Sequence, residues 1–70
     1  MDLPDIEEVS AKVHEAWMES KRRQGVTSRK SERGEEMMVA YEQLSEELKE
    51  IDRTTVRTVY EAIRSAGQHG

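Results

Sequence analysis

The sequence predicts a mainly α fold: two amphipathic helices with a short extended segment and a one-turn helix between them. Three observations point there. Apolar residues recur at helical spacing over 5–24 and again over 45–66. Capping residues and matched charges mark the ends of both stretches. A polar, basic stretch that opens and closes on glycine separates them.

The first helix is read over 5–24. Pro4 suits a first-turn position, because its missing N–H would have no partner there. Asp5, Glu7 and Glu8 place negative charge at the positive end of the helix dipole, and Lys21, Arg22 and Arg23 place positive charge at the other. At 100° per residue, Ile6, Val9, Val13, Ala16 and Trp17 fall within an arc of about 100°, which predicts a one-sided core stripe. GVTSRKSERG (25–34) reads as a loop. Over 35–44, Met37 to Ala40 are expected to be extended and Tyr41 to Leu44 to make a single turn. Ser45 is a hydroxyl cap followed by Glu46 and Glu47, so the second helix is expected over 45–66. Gly67 is its expected left-handed stop, with fraying over 65–70. Leu48, Ile51, Thr55, Val59, Ala62, Ile63 and Ala66 form its expected core face. Asp52 projects near the middle of that face, where a solvated acid does not belong.

Composition bounds the rest. The 70 residues carry 11 Lys+Arg against 15 Asp+Glu, only 34% are apolar, and there is no Cys. One domain (1–70) is expected, too small for a cleft between two lobes. A core of this size is marginal alone, and without cysteines a partner surface is the remaining support. No apolar run approaches a membrane span, and the start MDLPDIEEVS lacks a basic-then-apolar leader, so a cytoplasmic protein is expected. Charge is segregated. Residues 21–33 carry six cations against Glu32, and 35–52 carry seven acids against Lys49. The simplest reading is mutual attraction within the fold; the sharper one is a basic patch of Arg22, Arg23, Arg29 and Lys30 for a phosphate-bearing partner.

Three stretches together resemble the RyR domain, the repeat first described in ryanodine receptors and also found in small bacterial and phage proteins. Val13-His14-Glu15-Ala16-Trp17 is similar to the His-Glu-x-Trp opening of that family's first helix. The loop beginning at Gly25 stands where the family shows Gly-Trp-x-Tyr-Gly. Tyr41-Glu42-Gln43-Leu44-Ser45, continuing through Lys49 to Asp52-Arg53, is similar to its Pro-Tyr-x-x-Leu-(Ser/Pro)-x-x-x-Lys-x-x-Asp-Arg signature. The likeness covers about 11–64. Val26 replaces the family's second Trp, Arg29 its second Gly, and Glu35 to Tyr41 lacks the His and both prolines of His-Pro-x-Leu-x-Pro-Tyr. The resemblance implies a compact pair of antiparallel helices, used in receptors as tandem pairs about an approximate two-fold axis. A lone copy is therefore expected to pair with itself.

The interaction and core candidates are His14, Trp17, Met38, Tyr41, Asp52 and Arg53. An unpaired buried carboxylate is costly, so Asp52 is expected to pair with His14 or a nearby Arg. Trp17 is expected to anchor the core or a dimer seam, and Met38 to pack with Met37 and Val39. Tyr41 is expected to pack the short segment onto the helices with its hydroxyl at the surface. Two His without Cys argue against metal, no nucleophile-base pair or glycine-rich phosphate loop supports catalysis, and no cofactor is expected. The leading expectation is a non-catalytic interaction module, homodimeric and docking a further protein through Trp17, Val13, Met38, Leu48, Ile51 and Val59. A module for a nucleotide-derived ligand is second. Nucleic-acid binding through the basic loop is weakest, since the net charge is −4.

Overall fold

The computed structural model describes residues 3–67, so the expectations on Met1, Asp2, His69 and the last three residues of the tail lie outside the described residues. Helix α1 spans Ile6–Arg23, a 3-10 turn spans Tyr41–Gln43, and helix α2 spans Glu46–Gly67. Both helices lie within a residue of the predicted bounds. Asp5 caps α1 by accepting from the Glu8 amide at 3.2 Å, and Ser45 accepts from the Leu48 amide at 3.4 Å at the start of α2. Three corrections concern helix ends and the connection. Pro4 precedes the cap instead of entering the first turn, which frees its carbonyl to accept from the Tyr60 hydroxyl at 2.7 Å. Gly67 remains inside α2, and the left-handed glycines are Gly25 (φ 81°) and Gly34 (φ 83°) at the ends of the loop. The segment expected to be extended forms no strand among the described residues, only an antiparallel bridge between Lys30 and Glu36.

The helices run antiparallel. Pro4 meets Tyr60, Glu7 meets Arg53, and His14 meets Asp52, so contacts run backwards along α2 as α1 advances. The connection folds back against α1 through the 3-10 turn.

Each helix is rotated from its predicted orientation. Helix α1 buries Ser10, His14 and Met18, while Ile6, Val9, Val13 and Trp17 are half-buried and Ala16 is exposed. Helix α2 buries Val56 and Tyr60, while Ile51, Val59 and Ile63 are 61%, 51% and 40% exposed. In both cases the buried line lies about 100° around the axis from the centre of the apolar stripe. Because the helices are antiparallel and rotated in the same sense, the two displaced stripes face the same side of the helix pair. The core is completed by Tyr41 and Leu44.

The reason for the rotation is directional bonding. An apolar stripe can be satisfied by any greasy neighbour, whereas His14 and Tyr60 each have a single backbone carbonyl to reach. The small Ser10 lies wholly buried on the same side of α1 as His14 and Met18, and a small residue there admits close helix approach.

Candidate functional site

The predicted site residues fall into two linked groups. The first surrounds Glu7, which the sequence reading treated only as a dipole partner. Arg53 reaches across from α2 and holds both its carboxylate oxygens, Nε at 2.5 Å and Nη2 at 2.8 Å. Arg53 Nη1 also bonds Glu46 at 2.9 Å. Tyr41 is buried, and its hydroxyl donates to Glu7 at 3.2 Å instead of resting at the surface as expected. The Arg53 hydrogen bonds hold the Glu7 carboxyl below its ordinary range. Burial, followed by the Glu7 charge, pushes the Tyr41 phenol up. Lys49 lies 5.6 Å from the Tyr41 ring centre, within cation–π range. The sequence signal for Glu7 was its seven-residue spacing to His14, which puts both on one helix face.

The second group surrounds His14, 4% exposed. Its Nε2 donates to the Val39 carbonyl at 2.7 Å, which pins the connecting segment to α1. Its Nδ1 lies 3.6 Å from Asp52 Oδ2. Trp17, one turn on, stacks on the imidazole with ring centres 5.6 Å apart and planes at 25°. These residues border a groove of about 220 Å³ lined by His14, Trp17, Met37, Leu44, Leu48 and Asp52 together with Ile51. Met38 is half-buried beside it in sequence but does not line it.

The basic patch is largely occupied by acids of the same chain. Arg22 and Arg23 pair with Glu19 at 3.6 Å, Lys30 with Glu36 at 3.7 Å, and Arg33 with Glu47 at 2.9 Å. Arg29 is exposed, and its amide donates to Glu36 at 2.7 Å. Glu36 is the organiser of the loop and was not singled out in the sequence. Its carboxylate also accepts from the Met38 amide at 3.0 Å and from the Ser28 hydroxyl. Led by the Ser28 bond, these donors lower its pKa from 4.5 to about 2. Its only sequence signal was its place as an acid just beyond a basic run.

Among the described residues no group of three or more His, Cys, Asp or Glu side chains could hold a metal ion. Among them, too, no helix is long and apolar enough to cross a membrane.

An antiparallel helix pair, fastened through a buried Tyr, a buried His and a two-pronged Arg, defines a small all-α domain whose recognisable residues serve to hold its parts together. The chain matches the family model of the RyR domain over residues 4–69, and it belongs to that family. No curated protein and no solved structure gives a match. The structure accounts for the family-like residues: His14, Trp17, Tyr41, Asp52 and Arg53 are the residues around which the helices and the connection meet.

Proposed function

We propose that this domain is a non-catalytic protein-interaction module that self-associates through the outer face of α2. Family membership points to a domain of the protein-interaction type. The observation that carries self-association is the side of α2 from Ile51 to Ala66, about 22 Å long. It presents Ile51, Thr55, Val59, Ala62 and Ile63 to solvent, with the half-buried Asp52 as the one charged residue within their arc, in a chain that is 37% charged. Its threonines add no polar demand. Thr55 Oγ1 donates to the Ile51 carbonyl at 3.1 Å and Thr58 Oγ1 to the Thr54 carbonyl at 2.9 Å, so the hydroxyls are satisfied within the helix.

A second copy is the occupant this face fits, because it brings an apolar face of equal length and opposed direction. The charged residues in the second half of α2, Arg57, Glu61 and Arg64, lie on the opposite side of the helix, with Arg57 bonded to Glu50 at 2.6 Å and Arg64 3.5 Å from Glu61. A two-fold axis perpendicular to α2 would lay the two α2 helices antiparallel and face to face, with their helix dipoles opposed. Sedimentation velocity from micromolar to millimolar protein tests this. A mass rising from one copy to two is expected, with Val59→Glu folded and held at one copy. A single-copy mass at millimolar concentration would overturn the reading.

A further inference from the structure

Among the described residues the Asp52 carboxylate accepts no side-chain hydrogen bond. Its side chain is 17% exposed, and burial raises its pKa against the opposing pull of His14. Among the described residues no Lys or Arg reaches it. The 3.6 Å to His14 Nδ1 is too long for a hydrogen bond. His14 Nε2 must carry a proton, because its partner, the Val39 carbonyl, can only accept. When the ring holds that one proton, Nδ1 is an acceptor as well. Two acceptors then face one another 3.6 Å apart.

That gap opens into the groove between α1 and α2. Trp17, Met37, Leu44, Leu48 and Ile51 supply apolar walls, and His14 and Asp52 supply the polar end. A volume of about 220 Å³ lies below the ~300–1,000 Å³ of drug-sized sites, so it suits a group the size of one side chain. The Trp17 ring adds a face that attracts cations.

We propose that this groove binds an organic cation, an ammonium or guanidinium on an apolar stem, whose N–H groups bridge Asp52 Oδ2 and His14 Nδ1. One charged donor nitrogen about 2.9 Å from both acceptors satisfies the pair and neutralises the carboxylate. The stem displaces water from Trp17, Leu44 and Leu48. Such a group is carried by an arginine or lysine side chain of a partner polypeptide and equally by a free amine. The groove shares Ile51 with the outer face of α2, so the titrations below use protein dilute enough to be a single copy.

Trp17 is the only tryptophan in the chain, so its fluorescence reports occupancy directly. Nα-acetyl-arginine amide and benzylamine are titrated separately into the full chain, with Nα-acetyl-citrulline amide as the uncharged isostere of the first. A saturable change is expected with the cations, with citrulline at least about tenfold weaker. Asp52→Asn is expected to keep the helical circular dichroism and lose about tenfold or more in affinity. Tighter binding of the arginine amide assigns the site to a polypeptide side chain, and tighter binding of benzylamine assigns it to a free amine. Equal binding of citrulline, a folded Asp52→Asn with undiminished affinity, or no saturation at tens of millimolar would overturn the proposal. If Asp52→Asn does not fold, the comparison with citrulline on the unaltered chain decides.

Discussion

Arg53 of α2 grips Glu7 of α1 with two of its nitrogens, at 2.5 and 2.8 Å, across 46 positions of sequence. The Arg53 side chain is 18% exposed, and its fork fixes both the distance between the helices and their rotation. Tyr41 adds its hydroxyl to the same carboxylate. One acid thereby fastens the first helix, the 3-10 turn and the second helix together.

Replacing Arg53 therefore disturbs more than an ion pair. Arg53→Ala is expected to lower the melting temperature, and Arg53→Lys to recover only part of the loss, because a single ammonium cannot span both oxygens. Glu7→Gln is expected to fall between the two, since the amide still meets Tyr41. A melting series of the three variants checks the order. Equal stability of Arg53→Lys and the parent would show that charge alone matters.

Ser10 is fully buried, and its Oγ finds no partner among the described residues. Removing that hydroxyl relieves an unsatisfied polar group and places a better helix former in α1. Ser10→Ala is expected to stabilise the domain by about 1 kcal/mol in urea unfolding. Ser10→Leu, which overfills the same space, is expected to destabilise it. A loss of stability in Ser10→Ala would mean that the hydroxyl is bonded.

Glu36 sets an acid limit on the loop. Its pKa is lowered on folding from 4.5 to about 2, so the folded state favours the carboxylate. The stabilisation is complete above the unfolded value and is lost as pH falls through the folded one. The Arg29 and Met38 amide resonances are expected to titrate together with a midpoint near pH 2, as both N–H groups donate to this carboxylate. A midpoint near 4.5 would show that the loop is open in solution.

Much of the fold was legible in the sequence because its signals are local. Asp5 and Ser45 cap helices through their own side chains within three residues. The basic run and the acids after it attract across a short loop, as Lys30 with Glu36 and Arg33 with Glu47 do. That Asp52 comes to lie beside His14, 3.6 Å from its Nδ1, was also readable from the cost of an acid left alone inside a helix face. Tyr41 was harder. Its type and place suggested packing, but the partner of its hydroxyl lies 34 residues away in sequence.

The sequence by itself determined two helices, their ends, the glycine-bounded loop between them and the residues by which the family is recognised. Periodicity, capping and turn chemistry act within a few residues and need no tertiary contact. Tertiary structure alone decided which side of each helix is buried. Hydrophobic stripes specify a preference for leaving water but no partner. The bonds from His14 to Val39, from Tyr60 to Pro4 and from Arg53 to Glu7 are directional and admit one rotation. Those bonds draw Ser10, Met18 and Val56 inward and leave Ile51, Val59 and Ile63 on the outside.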